Sequence, residues 1–124
     1  GLVAQGKLSA VAIAKLQAAL KDESTAVRIE AANALARHVN TNEGLPTLVA
    51  LLKHKDMNTV LHAARTVEML GGQANSALPA MKKLLKRCHE IRPPETPPTV
   101  VASGEEDLAM FTSLSIGGFL NRVK

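Results

Sequence analysis

Leu45-Pro46-Thr47-Leu48-Val49-Ala50-Leu51-Leu52-Lys53 is written again 33 residues further on as Leu78-Pro79-Ala80-Met81-Lys82-Lys83-Leu84-Leu85-Lys86, with five of the nine positions identical. A shift of 32 residues the other way lays Ile13, Leu16, Leu20 and Lys21 under Leu45, Leu48, Leu52 and Lys53, and Ala31-Ala32 under Ala63-Ala64. One unit is thus present in three copies, which is the mark of a repeat architecture. Within the unit Leu45, Leu48 and Leu52, like Leu78, Met81 and Leu85, keep one face of a helix. Period-two alternation is nowhere sustained, so the expected fold is all-α, a short α-solenoid of about three helix pairs forming an α-α superhelix.

Punctuation places the helices. Ser24 and Asp56 are suited to cap the second helix of their units. Asn75 or Ser76 stands before Leu78, with Pro79 in the first turn, and Pro46 holds the matching place one unit earlier. Residues 92–104 hold four of the six prolines and cannot be helical through Pro93 to Pro98. Ser103 then precedes Glu106 at capping-box spacing, and Glu105, Glu106 and Asp107 load a first turn with negative charge. The expected helices run roughly over 8–21, 25–39, 45–54, 57–70, 76–91 and 104–122. Gly117-Gly118 either breaks the last of them or lets a neighbour approach closely.

Composition narrows the function. The 124 residues, 46% hydrophobic and 21% charged, amount to one ordinary globular domain. No apolar run approaches the ~20 residues of a bilayer span, so no membrane segment is expected. Two Phe and no Trp or Tyr leave little for recognising sugars or single strands by stacking. A lone cysteine, Cys88, makes neither an internal disulfide nor a thiolate metal site. The chain opens Gly1-Leu2-Val3-Ala4-Gln5 without a basic signal-peptide start, and it reads as a piece of something longer.

Asp22-Glu23-Ser24-Thr25-Ala26-Val27-Arg28-Ile29-Glu30-Ala31-Ala32-Asn33-Ala34-Leu35 resembles the second half of a HEAT-type repeat, armadillo-like in architecture, in which an acidic turn precedes Val-Arg, an Ala-Ala pair and a Leu. The second unit departs from it, with Asn58-Thr59-Val60-Leu61 where Val-Arg belongs. The resemblance covers residues 13–91. It implies one HEAT-like repeat domain over 1–124, with units at about 8–40, 45–72 and 76–123 and a Pro-rich insertion at 92–104. More distantly, helical pairs followed by a Pro-rich break and a closing helix from Leu108 to Arg122 resemble the C-terminal extension of some bacterial secreted sulfatases. That implies a non-catalytic appendage of a larger hydrolase, periplasmic or secreted if so attached. The sulfatase nucleophile motif Cys-x-Pro-x-Arg has no counterpart, since the chain reads Cys88-His89-Glu90-Ile91-Arg92.

Candidate sites follow from the repeat. The second helices of such pairs line the concave side of a solenoid. On them Glu30, Asn33 and Arg37 fall on the same outward stripe as His62, Arg65 and Met69, a surface of mixed sign suited to a protein partner or an upstream domain. The net charge of +4 is local: residues 82–92 hold Lys82, Lys83, Lys86, Arg87 and Arg92 against Glu90, and the remainder carries ten charges of each sign. Lys82, Lys83, Lys86 and Arg87 form a candidate basic patch. An amphipathic helix with a solvated face accounts for it, and a phosphate site is the alternative. His38, His54, His62 and His89 lack paired ligand spacing, so no metal and no cofactor is expected. No catalytic motif is present, and Cys88, Phe111 and Phe119 read as core. The expected function is a non-catalytic interaction or structural module. The alternatives are a HEAT-like nucleic-acid-binding protein, which needs basic side chains on the concave side, and a phycobilin-lyase-like HEAT protein, which needs a reactive cluster. The first and last helices are apolar around much of their circumference, which predicts self-association through uncapped ends or an exposed apolar patch.

Overall fold

The computed structural model describes residues 3–4, 7–97 and 104–123. A minimal antiparallel pair of strands, β1 (Val3–Ala4) and β2 (Lys7–Leu8), precedes the helices. The helices are α1 (Ala10–Ala19), α2 (Thr25–Ala34), α3 (Leu45–Leu51), α4 (Met57–Leu70), α5 (Leu78–Ile91) and α6 (Gly104–Arg122). The fold is all-α, as the repeat requires.

Local chemistry explains most of the boundaries. Because β2 takes Lys7 and Leu8, α1 starts later than its periodicity suggests, and the Ser9 hydroxyl caps it by accepting from the Ala12 N–H at 3.1 Å. Ser24 caps α2 by accepting from Val27 N–H. That helix continues as one wider π turn over Leu35–Val39 and stops at Asn40, whose φ of 56° is left-handed. The third helix ends earlier than expected because its last turn tightens to i→i+3 bonds, Lys53 N–H to Ala50 and His54 N–H to Leu51. Asp56 caps α4, and Gly71, at φ 57°, ends it.

Asn75 and Ser76 do not cap α5. They belong to a 3₁₀ run, Gly71–Ala77, that leads directly into the helix, and the Leu78 N–H finds the Asn75 carbonyl instead of a side chain. Gln73 in that run ties two repeats together, donating to the Ala36 carbonyl at 2.7 Å and to Asn40 Oδ1 at 3.2 Å. Ser103 lies outside the described residues, so its capping box is not seen. Glu106 instead meets Arg92 at 3.4 Å, joining the start of α6 to the end of α5.

Helix α2 touches α4, and α4 touches α6, so the second helices of the pairs lie side by side. Each first helix packs behind its partner, with α6 held against both α4 and α5. The core runs through the stack from Ile29 and Ala32 through Leu48, Leu52, Val60, Ala64 and Val67 to Met81, Ile116 and Phe119. Ala31, Ala32, Ala63 and Ala64 are buried, and Ala32 lies against Gly44 at the start of α3, where a larger side chain would hold the neighbours apart. Two buried hydroxyls are satisfied within their own helices, Thr66 by the His62 carbonyl and Thr112 by that of Leu108. Gly117-Gly118 does not break α6; Gly118 is where the Glu68 side chain of α4 lies against it.

Candidate functional site

Packing of α2 on α4 and of α4 on α6 leaves one exposed side on each. On α2 that side carries Glu30 and Arg37, both exposed, with Asn33 half-buried between them. Arg37 Nε donates to Asn33 Oδ1 at 2.9 Å, a bond of one helical turn that holds the guanidinium along the helix. On α4 the side carries His62, Arg65 and Met69, all exposed. His62 Nε2 stands 3.7 Å from Glu30 Oε1, an ion pair only while the imidazole is protonated. Five of the six sequence-predicted residues are therefore solvent-exposed, and the Glu30–His62 approach places the two helices' stripes next to each other. Both partners are well exposed, so the contact aligns the stripe more than it stabilises it.

A third part of this surface escapes sequence reasoning. Phe111 and Leu114 are 43% and 65% exposed, which corrects the expectation that Phe111 is core; Phe119 is fully buried as expected. Residues 111, 114 and 118 share one side of a helix, and Gly118 marks it as the side that adjoins α4 through Glu68. Met69, 55% exposed on α4, is thus followed on the next helix by two more large apolar side chains. The signal was available only in part. An α6 apolar around most of its circumference cannot bury every face, but its sequence does not say which face stays open.

The basic patch is divided by the fold. Lys82, Lys83 and Lys86 are exposed on α5, whereas Arg87 is half-buried and donates from Nη1 to the His54 carbonyl at 2.9 Å, capping the frayed end of α3. Lys83 and Arg87 share a groove of about 320 Å³ with Lys53. None of the four cations lies on the side formed by α2, α4 and α6.

Burial pushes the Cys88 thiol up to about 11, with Arg87 only partly offsetting it, so at neutral pH the sulfur is a protonated core atom. Among the described residues no three His, Cys, Asp or Glu side chains are grouped to hold a metal ion, and no helix is long and apolar enough to cross a membrane.

The family described as HEAT repeats matches residues 13–92, well over half of the 124 residues. No curated protein and no solved structure matches the chain.

Proposed function

The chain belongs to the HEAT-repeat family, and we propose that it is a non-catalytic module that holds a protein segment, from another chain or from a further domain of its own, against the exposed side of α2, α4 and α6. One observation carries the reading. Met69 on α4 and Phe111 and Leu114 on the neighbouring α6 are three of the large apolar side chains left in solvent, on a surface that also carries Glu30, Arg37, His62 and Arg65. Buried anchors surrounded by polar groups are how protein interfaces concentrate their affinity. A thiol-based enzymatic role finds no support, since the one thiol is held protonated by its burial. A phosphate-tracking role would need a cluster of cations on this side, where Arg37 and Arg65 are interspersed with Glu30, while the basic cluster lies on α5. The attachment to a sulfatase-type hydrolase is a finer proposal that rests on the resemblance of the whole arrangement, helical pairs followed by a Pro-rich break and a closing helix. A sulfatase domain in the same polypeptide supports it, and a full-length product without one rejects it.

Site-specific photo-crosslinking in the cells that make the protein tests the main reading. A photoreactive residue at Met69 or Leu114 is expected to give discrete protein adducts, while one at Lys82 gives none of the same size. Adducts equally frequent at Lys82, or none from Met69 and Leu114, would reject the surface.

A further inference from the structure

We propose that the groove between the end of α3 and the middle of α5 is a second binding site, one that takes a short acidic segment of a partner protein. It lies away from the α2, α4 and α6 side and does not depend on the reading given above. Spacing of i, i+3, i+4 and i+7 turns Ala80, Lys83, Leu84 and Arg87 of α5 toward Leu52 and Lys53, and these six residues enclose about 320 Å³. The floor is apolar, since Leu52 and Leu84 are buried and Ala80 is half-buried. The rim is entirely cationic. Among the described residues no carboxylate lies within ion-pair distance of Lys53, Lys83 or Arg87.

Like charges gathered over a low-dielectric floor raise the local positive potential and attract an anion. The carbonyls at the end of α3 would oppose a carboxylate there, but Arg87 already occupies that of His54 and is held in place by it. The apolar floor selects among anions. A free phosphate leaves it uncovered, and a nucleic acid finds no aromatic ring on which to stack a base. The volume is at the lower end of ligand clefts, which suits one aliphatic side chain and not an acyl tail. A Leu or Ile of the partner on Leu52, Ala80 and Leu84, with flanking Asp or Glu carboxylates on Lys53 and Lys83, satisfies both halves of the groove.

Fluorescence anisotropy with a short labelled peptide of Glu, Asp and Leu tests this on the whole chain. Saturable binding is expected, weakened about tenfold or more by K53E combined with K83E, and by Leu→Ser changes in the peptide. The K82E and K86E pair, on the same helix but outside the groove, is expected to leave it within about twofold. Both lysine pairs are solvent-exposed, and circular dichroism of each variant checks that the helices are intact. Absence of saturable binding, equal weakening by the K82E and K86E pair, or tighter binding of duplex DNA or of phosphatidylserine vesicles than of the peptide would overturn the proposal.

Discussion

A methyl group added at Gly44 and one added at Gly118 meet different neighbours. At Gly44 it would overlap both the Cβ and the Cα of Ala32, with Leu20 Cδ2 at 3.2 Å, so α2 and the start of α3 cannot both stay where they are. Gly44→Ala is therefore expected to destabilise the protein by about 1 to 3 kcal/mol in chemical denaturation. At Gly118 the obstacle is the mobile end of Glu68, which can swing aside, and replacing a mid-helix glycine gains about 0.5 to 1 kcal/mol. Gly118→Ala is expected to be neutral or stabilising in the same measurement. The two glycines thus part company on contacts that only the fold creates. Cys88 adds a pH dependence whose sign follows from its burial. Its thiol is raised from 9.0 to about 11, so between those values the unfolded chain loses a proton that the native one keeps. Stability then falls as pH rises through that window. The slope contributed by the thiol is expected to vanish in Cys88→Ala, as read from melting temperatures of the two proteins across the window.

At the level of elements, α4 shows how far local chemistry reaches. Asp56 accepts from the Asn58 N–H at 3.1 Å and the Thr59 hydroxyl at 3.4 Å, while its own N–H donates to His54 Nδ1 at 3.0 Å. Asp56→Ala is expected to cost about 1 kcal/mol, measured by denaturant titration. Asp56 and Gly71 are both visible in the sequence, and the helix they bound, Met57–Leu70, is the one expected. The early end of α3 and the 3₁₀ run before α5 are not visible in the same way. Each depends on a partner about one repeat away, Arg87 on the His54 carbonyl and Gln73 on that of Ala36. The same limit applies to the sites. The Glu30 and His62 stripe follows from helical spacing and the repeat length. Phe111 and Leu114 join it only because α6 presents that side beside α4, and Lys53 joins Lys83 only because α3 ends against α5.

The whole molecule is a stack in which each pair is fastened to the next by a few close contacts. Ala32 against Gly44 joins the first pair to the second, and Glu68 against Gly118 joins the second to the third. Both proposed surfaces depend on that order: the exposed side of α2, α4 and α6 exists only if the second helices are adjacent, and the basic groove exists only if α3 reaches α5. Nuclear Overhauser spectroscopy of the intact chain in solution tests the order most directly. Cross-peaks between the Gly44 α-protons and the Ala32 methyl, and between the Gly118 α-protons and the Glu68 γ-protons, are the predicted result. Assigned spectra in which these pairs show no cross-peak, while the individual helices persist, would contradict the stack.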